Sequence, residues 1–187
     1  HADRFKYNTG YGMSAYDKGS IFLSQLQYVI GKENFDSTLK RYFNDWSFKH
    51  PKPNDFIRSA EKVSGLELDW YLLDWTQSTM TIDYSVNSVY GVDNKTRVVL
   101  KRIGQMGMPI DLRVELTSGE VLYYNIPLTK MRGSKPMRSS TLLKSWSWAK
   151  PYYDVWLDID LKNISKITID PKNEMADIDR SNNYLVL

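Results

Sequence analysis

Tyr11 and Tyr16 are the residues whose type and spacing could do chemistry. They stand in Gly10-Tyr11-Gly12-Met13-Ser14-Ala15-Tyr16-Asp17-Lys18-Gly19, where two glycines and a serine permit an irregular lead into a helix. A phenol held near a helix N-terminus, its hydroxyl free to point into a cleft, could donate a hydrogen bond to a developing oxyanion. The plainer reading is structural, because tyrosine makes up 13 of the 187 residues and such side chains ordinarily sit half-buried with the hydroxyl wet. On composition alone the structural reading prevails. Histidine offers less: His1 and His50 stand too far apart for the i, i+4 pair of a helical zinc site, and no GxSxG, P-loop or GxGxxG motif accompanies them. His50, between Lys49 and Pro51, reads as a solvated loop residue. Cysteine is absent, which excludes disulfides, thiolate metal sites and cysteine nucleophiles and leaves the redox compartment undecided. No self-sufficient catalytic motif is present.

The elements that must position the tyrosines begin with a helix over 20–30, where Ile21, Phe22, Leu26, Val29 and Ile30 share one side of a 3.6-residue repeat and Gly31 follows as a cap. A second helix over 33–46 carries Phe35, Leu39, Tyr42, Phe43 and Trp46 as an apolar stripe that must pack on a neighbour. Pro51 and Pro53 stop the chain, Asn54 is placed to cap a third helix running to Gly65, and a short fourth covers 69–77. Near Met80 the period changes to two. Strands are predicted over 82–86, 97–103, 110–116, 121–126, 155–159 and 164–169, with Ser118-Gly119 as a hairpin turn and Asp170-Pro171 closing the last strand. The expected fold class is α+β: an N-terminal helical region of about four helices over 1–80, then an antiparallel β-sandwich over 81–187.

Composition is ordinary for a globular chain, at 42% hydrophobic and 25% charged. The net charge of +3 is too small to imply nucleic acid, but it is uneven: between Glu120 and Asp154, Lys130, Arg132, Lys135, Arg138, Lys144 and Lys150 meet no acid. Trp146, Trp148, Tyr152 and Tyr153 lie near these bases, a combination that can bind nucleic acid or sugars. The favoured reading is a solvated loop whose aromatics return to the sandwich core, the two tryptophans facing one side of a strand. Asn94-Lys95-Thr96 and Asn163-Ile164-Ser165 match a glycosylation sequon that arises often by chance. No apolar run approaches the roughly 18 residues that span a bilayer. His1-Ala2-Asp3-Arg4 lacks the order of a signal peptide, and a start at His1 leaves open an upstream signal or domain.

Tyr16-Asp17-Lys18-Gly19 before an apolar helix, then Gly31, Phe35, Leu39 and Tyr42-Phe43, then Asp55-Phe56, Glu61, Ser64-Gly65 and Trp70 through Trp75, resembles the segment downstream of the zinc site in M1-family metallopeptidases. Leu100 to Gly104, Met108-Pro109-Ile110, Met131-Arg132-Gly133, Trp146-Ser147-Trp148 and Ile169-Asp170-Pro171 resemble the β-domain of bacterial members, so the likeness covers nearly the whole chain. It implies that Tyr16 stabilises the tetrahedral intermediate of peptide hydrolysis and that Tyr11 assists near the substrate. It also implies a zinc held through HExxH in the full-length protein, with a peptide substrate. HExxH is missing from these 187 residues, so this chain is expected to hold no zinc and to be inactive alone, supplying a tyrosine and a bracing β-domain. The alternative is a non-catalytic binding or scaffolding module of the same architecture. No nucleic-acid partner and no membrane segment are expected, self-association through the exposed cleft surface is open, and the full-length protein is expected to be extracytoplasmic, periplasmic or secreted.

Overall fold

The computed structural model describes residues 4–137 and 139–187; His1 and Arg138, named above, lie outside them. The first helix starts earlier than its apolar repeat indicates. A continuous helical run is built from α1 (Asn8–Gly12), one π-helical turn (Met13–Asp17) and α2 (Lys18–Ile30). Gly31, at φ 84° and ψ 152°, breaks the run and leads into α3 (Lys32–Trp46). α4 (Pro53–Ser64) and α5 (Asp69–Gln77) complete the helical part. Pro53 takes the first position of α4, where a missing N–H costs nothing. The N-cap is Lys52, whose backbone N–H donates to Asp55 Oδ2 at 2.7 Å, so the cap falls two residues before the expected Asn54. Gly65 ends α4 in the left-handed conformation at φ 72°, which glycine adopts without strain.

Burial departs from the expected stripes on α3. Leu39 and Phe43 are exposed, and Thr38 is the buried residue of the helix. α3 packs on α4 and α2 through Phe35 and Tyr42, the Tyr42 ring standing 5.0 Å from Phe56, so its apolar stripe is wider than the surface its neighbours cover.

The strands form two sheets: β1 (Tyr84–Val92), β2 (Lys95–Arg102) and β6 (Tyr152–Leu157) in the order β1-β2-β6, and β3 (Ile110–Leu116), β4 (Val121–Ile126), β5 (Thr141–Leu142), β7 (Ile164–Ile169) and β8 (Tyr184–Val186) in the order β5-β4-β3-β7-β8. Pairing is antiparallel except that β5 runs parallel to β4. Asp93 and Asn94, both at positive φ, make the two-residue turn between β1 and β2 whose twist matches its strands. Alternation sends Val98, Leu100 and Val155 of one sheet and Leu112, Val114 and Ile167 of the other into one buried cluster, which also takes in Leu26, Val29 and Tyr71 of the helices. The fold is α+β, helices followed by a sandwich-like pair of sheets, with apolar packing continuous from one to the other.

Candidate functional site

Tyr11 lies in α1 and Tyr16 in the π-helical turn. Residues five apart on an α-helix point about 140° from one another. The π turn closes i→i+5 rings, seen in the bond from the Lys18 N–H to Met13 O, and this brings the two tyrosines to one side. Their rings meet edge to face with centroids 6.0 Å apart, and Phe5 adds a second edge-to-face contact to Tyr11. Tyr16 is 68% exposed and Tyr11 38%. Neither hydroxyl has a hydrogen-bond partner in the chain among the described residues. The lead into α2 is therefore continuous helix, α and then π, in right-handed conformation. No free helix N-terminus stands beside Tyr16, a correction to the expected placement: the local amides are spent on the turn itself. A carbon branch on Gly12 or Gly19 would meet nothing, so neither glycine is there for close packing.

A second concentration of polar groups joins α2 to the larger sheet. The Tyr28 hydroxyl accepts the Asp111 N–H at 3.2 Å, and Lys135 Nζ donates to Tyr28 O at 3.2 Å and Asp111 Oδ2 at 2.6 Å. The same ammonium sits 4.3 Å from the centre of the Tyr28 ring. Burial, followed by the charges of Asp111 and Asp170, pushes the Tyr28 phenol well above its ordinary range. Asp170 accepts the N–H groups of Glu174 and Met175, while burial holds its carboxyl above the usual carboxylate value. Gln25 donates to Glu174 O at 2.8 Å and accepts the Ala176 N–H at 2.9 Å. Tyr28, Asp111, Lys135, Asp170 and Glu174 line a cleft of 480 Å³, yet the donors and acceptors here serve to bolt helix to sheet. Sequence reasoning missed this cluster because Tyr28, Asp111 and Lys135 come from three separate segments.

The basic stretch finds its acids elsewhere: Lys130 approaches Asp74 at 3.9 Å, Arg132 approaches Glu67 at 3.8 Å, and Lys135 pairs with Asp111. Its tryptophans divide. Trp146 is buried and gives its indole N–H to Lys150 O, whereas Trp148 is exposed with Lys130 5.1 Å from its ring. The two do not share a strand face, because Trp146 sits in an isolated bridge to Leu128 with turn residues after it. His50 is exposed in the loop after α3.

Among the described residues no three His, Cys, Asp or Glu side chains come together as a metal ion requires.

Comparison with known proteins adds a likeness to one family. The model of the Peptidase family M1 domain matches residues 3–75. Glutamyl aminopeptidase of Rattus norvegicus is 32% identical over 83 residues, which cover 44% of this chain and 8% of that protein. Aminopeptidase M1 of Arabidopsis thaliana is 27% identical over 135 residues, 72% of this chain and 14% of that protein. Among solved structures, aminopeptidase A of Legionella pneumophila in complex with aspartic acid aligns with 80% of this chain and 16% of that chain, at 19% identity and a TM-score of 0.48. The chain thus spans less than a fifth of the length of each of these relatives. The domain model falls on the helical part and these relatives are aminopeptidases, so over these segments the chain is similar to the M1 peptidase domain.

Proposed function

We propose that this chain is part of a longer zinc-dependent aminopeptidase in which Tyr16 donates a hydrogen bond to the oxyanion formed when a peptide carbonyl is attacked, with Tyr11 assisting beside it. The observation that carries the reading is the Tyr16 hydroxyl: it is solvent-facing, unclaimed within the described chain, and held on a π turn inside the segment matching the M1 domain. Such turns recur at functional sites because they re-aim a side chain without breaking the helix. A preorganised donor of this kind typically contributes about 10²–10³ in rate. The zinc belongs to residues outside this chain in this reading, and the helices over 1–80 form one wall of the cleft while the strands over 81–187 brace it. The 187-residue chain alone should neither retain zinc stoichiometrically nor turn over aminoacyl reporter substrates.

The test is Tyr16→Phe in the longer protein at saturating zinc. A fall in kcat of about 10² or more with zinc content unchanged supports the oxyanion role. An active protein indifferent to the change leaves Tyr16 structural, and a longer protein inactive before any substitution points to the non-catalytic module.

A further inference from the structure

Three rings stand in series on the surface that carries Tyr16. The Tyr16 ring meets Tyr11 with centroids 6.0 Å apart and planes at 89°, and Tyr11 meets Phe5 at 6.0 Å and 71°. Both separations lie in the roughly 4.5–7 Å range over which an edge-to-face pair attracts. The far end of the series is seated on backbone: Phe5 Cδ1 lies 3.4 Å from the point where a Cβ on Gly10 would stand. The Phe5 ring therefore packs on α1 beside the residue that precedes Tyr11.

Little else fixes the direction of the Tyr16 side chain. Its hydroxyl has no hydrogen-bond partner among the described residues, the side chain is 68% exposed, and Ala15 and Asp17 on either side are exposed as well. An exposed phenol exchanges among staggered rotamers unless a neighbour selects one. The edge of Tyr11 is the contact that selects here, and Tyr11, itself 38% exposed, is held in turn by Phe5. Phe5 lies outside the apolar core, so its ring serves this series and not the packing of helices on sheets.

We propose that Phe5 is a positioning residue for the Tyr16 hydroxyl, acting through the Tyr11 ring. The inference rests on the oxyanion reading of Tyr16 and extends it to a residue that touches no substrate. A donor already aimed stabilises the charge that develops on a carbonyl oxygen, whereas one that must first be recruited from several orientations loses part of that effect. A ring pair of this kind shifts a population by a factor of about 3–10, well below the roughly 10²–10³ of the donor itself.

The test is Phe5→Leu, which keeps an apolar side chain and removes the ring. In the longer protein it should lower kcat about 3–10-fold with KM unchanged, and Phe5→Tyr, which keeps a ring, should retain full kcat. Combined with Tyr16→Phe it should cost nothing further, because no hydroxyl is left to aim. In the 187-residue chain, Phe5→Leu should move the Tyr16 ring signals in nuclear magnetic resonance, identified by their loss in Tyr16→Phe, while the signals of the buried Tyr71 and Tyr84 stay in place. Full kcat in Phe5→Leu while Tyr16→Phe is strongly impaired would overturn the positioning role and leave the oxyanion reading standing. An equal loss with and without the Tyr16 hydroxyl, or Tyr16 ring signals that do not move, would also overturn it. A Tyr16→Phe protein as active as the unsubstituted one would remove the oxyanion reading and this inference together.

Discussion

Tyr16 and Asp111 show how differently two polar residues can be invested. Tyr16 is exposed and makes an aromatic contact to Tyr11 without a hydrogen bond inside the described chain, so Tyr16→Phe should change the stability of this chain by less than about 0.5 kcal/mol. Chemical denaturation of the two proteins checks this, and a larger loss would mean that the hydroxyl holds structure. Asp111 accepts from Lys135 at 2.6 Å and from Asn125 at 2.8 Å, while the Lys135 side chain is 11% exposed. Asp111→Asn strands a mostly buried ammonium and should cost about 3 kcal/mol. Replacing Lys135 by Met in the same chain should recover much of that, since an apolar side chain of similar length leaves no buried ammonium without a counter-charge; a double variant no better than the single one would refute the argument. Tyr11, Tyr16 and their spacing are legible in the sequence. That their rings meet is not, because it depends on the π turn.

At the scale of elements, local chemistry was the better guide. The strands over 110–116, 121–126 and 164–169 and the helix over 69–77 coincide with β3, β4, β7 and α5, since a period of two or 3.6 together with Gly or Pro punctuation defines them without help from elsewhere. The two-residue β5 and three-residue β8 carry no such period, being strands by virtue of what they lie beside. Gly104, in the link after β2, shows the same dependence on neighbours. A Cβ there would press on Thr81 O and lie 2.6 Å from Asp83 N, where Ile103 and Gly104 both donate to Asp83 O. Backbone cannot yield as a side chain does, so Gly104→Ala should cost about 1–3 kcal/mol by overpacking. Gly12→Ala, with open space around it, should cost nothing by crowding. Thermal melts of the pair decide it, and equal melting temperatures would contradict the steric account.

The whole molecule shares one apolar cluster from α2 to β7, so helical and aromatic signals should be lost in a single coincident thermal transition. Two separated transitions would mean that the helices and sheets are independently stable. Its pH dependence has a defined sign. Asp74, Asp170 and Asp177 all sit above the ordinary carboxylate value of 3.8, in each case chiefly through burial. The folded chain therefore holds these protons more tightly than the unfolded chain does, and their contribution is fully present below 3.8 and lost as pH rises through the folded values. Asp74→Asn should accordingly gain melting temperature relative to the unsubstituted protein as pH is raised from 4 toward 7; a difference independent of pH would argue against burial as the cause. The sequence by itself determined the α+β order, the change of period near Met80 and the family likeness, because each is written in local spacing. Tertiary structure alone decided where charge and exposure end up. Lys130, Arg132 and Lys135 look unpaired along the chain but meet Asp74, Glu67 and Asp111 across it, and the stripe of α3 looks buried yet leaves Leu39 and Phe43 in solvent. The reason is physical: periodicity reports which residues share a face, whereas pairing and burial depend on which surface that face meets, and that is set by segments distant in sequence.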